Sequence, residues 1–140
     1  MRIPKGAWAS LKETVVREKT VAHFHDDMPE VYGTPFMIYL MELAAANAIK
    51  PYLPPGWISV GAGVDVKHLA ATPAGFTVVA RAEVVEWDGK SVTFDVEARD
   101  GVELIGQGRH VRVPVERARF DRGVSAKALK KPQRDEPQSE

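Results

Sequence analysis

Residues 34–53, TPFMIYLMELAAANAIKPYL, constrain this chain more than any other stretch. Good helix formers fill the segment. Thr34 is read as the N-cap, its hydroxyl accepting a free backbone N–H. Pro35 then takes the first helical position, where a missing N–H costs nothing. Pro51 and the Pro54-Pro55-Gly56 cluster stop the helix. The helix expected over 34–53 is apolar on nearly every side. A surface helix shows one apolar stripe, so this one is expected to be surrounded by protein. Glu42 and Asn47 interrupt the segment, and it falls short of the ~20 apolar residues of a membrane span.

What surrounds it follows from a change of period. From residue 58 onward apolar residues recur at every second position, the period of a strand. Ile58, Val60, Ala62, Val64, Val66 and His68 are expected on one face, towards the helix. Phe76 to Trp87 and Ser91 to Arg99 alternate in the same way, with Val92, Phe94, Val96 and Ala98 inward. Asp88-Gly89 and Asp100-Gly101 read as hairpin turns. The last strand is expected over 102–113, where Gly106 and Gly108 mark a bulge or a close backbone approach. A weaker alternation gives a first strand over 7–17, and 20–33 reads as a polar loop with one helical turn. Strand, loop, apolar helix, then four strands make an α+β fold: a curved antiparallel sheet wrapped around a long central helix.

Composition bounds the rest. The 140 residues are 44% hydrophobic, enough for a real core. One domain is expected over 1–129, and a polar tail over 130–140 with nothing to bury. Nineteen Lys/Arg balance nineteen Asp/Glu, so no nucleic-acid partner is expected. The absence of cysteine excludes disulfides, a thiolate metal site and a cysteine nucleophile. The first ten residues lack the apolar core of a signal peptide, and a cytoplasmic protein with no membrane partner is expected.

Three residues stand out chemically. Glu42 lies mid-helix in LMELAA, where a carboxylate needs a partner, a wetter side or a subunit contact. His68 ends the strand face expected to pack on that helix. It is either a satisfied rim histidine or, meeting Glu42, half of an acid–base or nucleophile pair. Thr34 is either a simple cap or part of a helix start whose N–H groups suit a developing oxyanion. Thr34 and Glu42 are ~12 Å apart along a regular helix, so a shared site favours a two-fold dimer in which one copy's helix start faces the other's glutamate. HFHDD at 23–27 lacks the ligand spacing of a metal site, and no metal is expected. Arg109 and Arg112 are either a phosphate-holding pair or solvated strand charges. No Walker loop, dinucleotide fingerprint or nucleophile elbow is present. The Gly61/Gly63 pair lies on a strand and leaves room for a ligand to pass close.

Three blocks in fixed order, GTPFMIYLMELA, SVGAGVDVKHLAATPAG and DGVELIGQGRHVRV, resemble the fluoroacetyl-CoA thioesterase-like branch of the hotdog thioesterases. The resemblance covers about residues 31–113. It implies the hotdog fold, assembly as homodimers or higher homo-oligomers, and hydrolysis of acyl-CoA thioesters. It implies Thr34, Glu42 and His68 as catalytic residues, Gly61 beside the acyl group and Arg112 as a substrate contact. No cofactor is implied, CoA being part of the substrate. The segment HFHDDMPEVY departs from the family's aromatic-rich lid, so the expectation is a short or medium acyl chain, without a claim on fluoroacetate. Two alternatives remain. One is a non-catalytic acyl-CoA binding module on the same fold. The other is a hotdog hydratase or dehydratase, whose D-x4-H spacing Asp65 and His68 do not match.

Overall fold

The structure is a computed structural model and describes residues 1–133; the end of the expected tail, 134–140, lies outside the described residues. Strand β1 (Trp8–Thr14) leads through a 3-10 turn (Arg17–Lys19) and the one-turn helix α1 (Val21–Phe24) to the long helix α2 (Thr34–Ile49). Four strands follow: β2 (Trp57–His68), β3 (Thr77–Trp87), β4 (Val92–Arg99) and β5 (Leu104–Glu116). They form one antiparallel sheet in the order β1-β3-β4-β5-β2, and α2 touches all five strands. This is the expected α+β hotdog arrangement, a curled sheet around one helix.

The sheet curls because its ladders are interrupted. Register shifts fall between Gly61 and Gly63, Val84 and Glu86, and Ala98 and Arg99. Each inserts a residue into one strand, which bends and twists it. The hairpin turns form where expected, with Gly89 and Gly101 at φ of +91° and +87°, a backbone region that suits glycine. The inner face is built from small and medium side chains. Met37, Leu40, Met41, Ala44, Ala45, Ala48 and Ile49 of α2 are buried against Val78, Ala80, Ala82, Val84, Val92, Phe94, Val96, Ala98 and Ile105. Alanines on both layers let helix and sheet approach closely, and Phe94 is among the largest side chains buried between them.

Four expectations need correction. The regular helix ends at Ile49, and residues 50–52 form a 3-10 turn. Its N-cap is Gly33, with Thr34 and Pro35 as the first two helical residues. The reason lies in the backbone: the Gly33 carbonyl accepts the N–H groups of Phe36 (3.0 Å) and Met37 (3.3 Å), while the Gly33 N–H is held by the Lys19 carbonyl (2.8 Å). Third, the chain leaves one stripe of α2 uncovered, Pro35, Tyr39, Leu43 and Asn47, at a spacing of four. Fourth, β2 does not present a single face. Across its bulge Gly61 pairs with Arg112 and Val64 with His110. Arg112 and His110 share a face of β5, so Gly61 and Val64 share one too, and Ile58 and Val60 turn to the outside.

The last strand also runs further than expected, to Glu116, and passes into α3 (Arg117–Ala128). Sequence reading gives this helix no place: all twelve of its residues are exposed, and Phe120 and Val124 are its only large apolar side chains.

The two glycines of β5 differ in what they approach. A Cβ at Gly108 would overlap the Asp65 carbonyl oxygen and stand 2.6 Å from the Val66 Cα, both main-chain atoms of β2. A Cβ at Gly106 would stand 2.5 Å from Met37 Sδ and 2.7 Å from its Cε, the flexible end of a side chain, with the Lys67 carbonyl oxygen of β2 further off at 3.2 Å. Gly106→Ala is therefore expected to cost about 1–3 kcal/mol, within the usual range for overpacking, and Gly108→Ala distinctly more. Urea midpoints of the two variants check the order. Equal losses would show that β2 yields as easily as a methionine.

Candidate active site

Freed from capping, the Thr34 hydroxyl lies 2.7 Å from Nδ1 of His68, joining the start of α2 to the end of β2. The other ring nitrogen, Nε2 of His68, is buried and has no hydrogen-bond partner among the described residues. An unsatisfied buried nitrogen in an otherwise paired protein marks a place where a ligand, water or reacting group belongs. Burial pushes the His68 imidazole below its ordinary value, and the Ala70 backbone acts the other way. The approach to Thr34 is pinned from behind. The buried Tyr32 hydroxyl donates to the Glu13 carboxylate, which also binds the Lys19 ammonium. Burial first, then the hydrogen bond and charge of Glu13, push the Tyr32 phenol well above its usual range. Because the Lys19 carbonyl holds Gly33, this latch fixes the residue just before Thr34.

A second group lies further along α2. Glu42 sits at the border of the uncovered stripe, its side chain one-third exposed at 33%. Its Oε2 lies 3.9 Å from Nη1 of the nearly buried Arg112 and would lie 3.4 Å from a Cβ on Gly61. Arg112 is held by three bonds: Nε donates to Ser59 Oγ (2.8 Å), Nη2 to the Ser59 carbonyl (2.8 Å) and Nη1 to Nε2 of His110 (3.2 Å). Burial lowers the Arg112 pKa and Glu42 opposes that shift. A guanidinium remains charged through such changes, so Glu42 faces a fixed positive charge. Glycine at 61 leaves open the space that Glu42, His110 and Arg112 surround.

The β2 bulge makes this possible. Gly61 and His68 are an odd number of residues apart, and in an uninterrupted strand they would point to opposite faces. The extra residue at Ala62 turns both towards α2. The structure thus brings Thr34 to His68, and Glu42 to Gly61 and Arg112. It does not bring Glu42 to His68 within one chain, as the shared face had suggested, because they attach to the two different groups. The helix start also offers less to an oxyanion than expected. Pro35 has no N–H, and those of Phe36 and Met37 are engaged by Gly33.

The weaker candidates separate. Arg109 points to the outer face and pairs with Asp95 at 2.8 Å, so Arg109 and Arg112 do not form a phosphate pair. His23 and His25 are exposed, and among the described residues no three His, Asp or Glu converge as metal ligands. Ser59 is the group member that sequence reading misses, while His110 is read only as a strand histidine sharing a face with Arg112, with no role assigned.

Comparison with known proteins follows the same span. Residues 15–118 match the model of the family described as fluoroacetyl-CoA-specific thioesterase. The chain is 41% identical over 115 residues to the fluoroacetyl-CoA thioesterase of Streptantibioticus cattleyicolor, covering 78% of this chain and 83% of the relative. A solved structure of a fluoroacetyl-CoA thioesterase superposes with a TM-score of 0.84 at 37% identity, over 91% of this chain and 98% of that one. A thioesterase superfamily member from Thermus thermophilus gives a TM-score of 0.85 at 31% identity, over 91% and 94%.

The two inward histidines set a pH dependence. Burial is the leading cause that holds both His68 and His110 below the ordinary 6.5. Protonation therefore favours the unfolded chain. The stability these rings contribute is complete above the unfolded value and is lost as pH falls towards their folded values. Most carboxylates titrate lower still. The urea midpoint is expected to fall between pH 7 and pH 5, and to fall less in His68→Phe. A midpoint flat across that interval would contradict the burial of both rings.

Proposed function

The chain belongs to the fluoroacetyl-CoA-specific thioesterase family, and from that membership we infer that it hydrolyses an acyl-CoA thioester of short or medium acyl chain to the free acid and CoA. The observation that carries this reading is Glu42 beside the open space at Gly61, with its carboxylate close to Arg112 yet beyond hydrogen-bond distance. There a carboxylate is available to a carbonyl carbon, and a fixed cation is available to the oxygen that becomes negative.

In this mechanism the acyl group lies against Gly61. Glu42 attacks the thioester carbonyl or activates water for that attack. The N–H of Arg112 directed at the site holds the developing oxyanion. His68, oriented by the Thr34 hydroxyl, carries a proton between the attacking water and the leaving thiolate. CoA enters as part of the substrate, and these steps call on no further cofactor.

The site is shared between two copies. Thr34 and His68 of one copy act with Glu42, Gly61 and Arg112 of the other. Three features support this. Strand β2 is a sheet edge, with one side of its backbone unpaired. Tyr39, Leu43 and Val64 expose 59%, 38% and 44% of their surface beside it. Antiparallel pairing of two such edges carries the His68 end of one strand back towards Gly61 of the other.

Thiol release from acetyl- to decanoyl-CoA is the test. Glu42→Ala and His68→Ala, both folded, are each expected to be at least about a hundredfold slower, roughly 2.7 kcal/mol of transition-state stabilisation. Tight acyl-CoA binding with no release by the wild type would instead identify a binding module. Mixing the two inactive variants tests the shared site. A one-to-one mixture that exchanges subunits has half its dimers mixed, each with one intact site, and so recovers about a quarter of wild-type activity. No recovery in a mixture shown to have exchanged would place each site within one chain.

A further inference from the structure

We propose that His110 is a positioning residue that holds the Arg112 guanidinium open beside Glu42, and that its imidazole does so as the neutral tautomer with hydrogen on Nδ1. The proposal rests on the reading of Glu42 and Arg112 just given and assigns a role to a residue outside that set.

The two ring nitrogens are fixed by what they face. Nδ1 lies 2.8 Å from the Gly63 carbonyl oxygen, which can accept a hydrogen bond and cannot donate one. Nδ1 therefore carries hydrogen. Nε2 lies 3.2 Å from Nη1 of Arg112, which can donate and cannot accept. Nε2 therefore presents its lone pair. The stacked ring of Phe94, with centroids 6.0 Å apart, closes the β4 side. The charged groups that face the imidazole are Arg112 from its own strand and Glu42 from α2; β2 contributes the Gly63 carbonyl. Protonation at Nε2 would set one N–H against another beside a guanidinium. The ring is 2% exposed, and burial also disfavours the charged form.

The consequence falls on Arg112. Ser59 holds the planar guanidinium along its Nε–Nη2 edge, which leaves a tilt about that edge as the movement that carries Nη1. His110 takes one hydrogen of Nη1 and keeps that edge 3.9 Å from Glu42 Oε2. Without this acceptor, Nη1 closes onto Glu42 as a charge-assisted hydrogen bond. A carboxylate so engaged is a weaker base and nucleophile, and the cation is withdrawn from the substrate oxygen. The arrangement separates two opposite charges that would otherwise neutralise each other.

The test has two arms. In the first, nitrogen NMR of histidine-labelled wild-type protein at pH 7.5 reads the tautomer without substrate. The expected His110 signals are a protonated Nδ1 and an unprotonated Nε2, and a ring protonated on Nε2 overturns the proposal. In the second, thiol release is measured for His110→Phe, which keeps the ring and its stacking but removes the acceptor. The turnover number is expected to fall roughly tenfold with KM within about twofold, and His110→Gln, which restores an acceptor, is expected to regain most of that loss. In an Arg112→Met background His110→Phe should change the residual rate by less than about twofold, since its partner is gone. Independent losses in the double variant, or an unchanged turnover number in His110→Phe, would overturn it. If His110→Phe does not fold, His110→Gln against His110→Asn decides: Asn does not reach Arg112, so equal rates count against the proposal. A wild type that releases no thiol removes the functional reading, while the tautomer still decides this one.

Discussion

One extra residue in an edge strand governs what this protein can bring to its helix. A strand alternates faces strictly, so the glycine at 61 and the histidine at 68 are incompatible on one side unless the count is broken between them. The bulge at Ala62 breaks it. Its cost is a pair of outward-turned aliphatic residues, Ile58 and Val60, that regular alternation would have buried. Its return is that Ser59, Gly61, Val64, Val66 and His68 all look towards α2. The Gly63 carbonyl beside the bulge meets an imidazole of the neighbouring strand, so the irregularity is tied down by a side chain.

The chemistry of the site depends on charges held apart as much as on charges brought together. Arg112 is nearly buried, yet three hydrogen bonds to Ser59 and His110 satisfy most of its donors without using Glu42. A buried cation that found its counter-ion directly would form a closed pair with little left for a substrate. Glu42, one-third exposed at the border of the uncovered helix stripe, keeps access to solvent and to whatever occupies the space at Gly61. At the other end of the helix the latch of Tyr32, Glu13 and Lys19 works by the same logic. It satisfies buried polar groups among themselves and leaves the Thr34 hydroxyl free for His68.

Much of the fold is legible in the sequence, for reasons that differ by element. The β4 alternation of Val92, Phe94, Val96 and Ala98 is clean because that strand lies mid-sheet with one buried face, and all four residues are buried. The helix is legible from its composition and its prolines. The bulge is invisible because Gly61-Ala62-Gly63 has almost no side chain to reveal a change of face. Helix α3 is hard to see because none of its residues is fully buried. At the site, Glu42 and His68 stand out as polar residues on apolar surfaces, but they do not meet each other as expected: His68 meets Thr34, and Glu42 faces Arg112. Which partner each takes depends on where β2 sits along α2, and no local pattern encodes that. His110 is legible as a strand residue on the face of Arg112, but its role is not, because its Gly63 partner lies across the bulge of another strand.

The position of β2 at the rim has a consequence for how the chain responds to stress. It is bonded to the sheet on one side alone, through β5, whereas β3 and β4 are bonded on both. In an isolated copy β2 can therefore open with the helix and the other four strands still in place, a route that pairing of two β2 edges closes. That one movement carries away Ser59, Gly61, Gly63 and His68 together, and with them the support of Arg112 and the partner of Thr34. The chain then keeps most of its secondary structure, with Thr34, Glu42, His110 and Arg112 still in place, while losing the β2 groups that position them. In an isolated copy the site can thus come apart before the fold does, and edge pairing with a second copy would tie the two losses together.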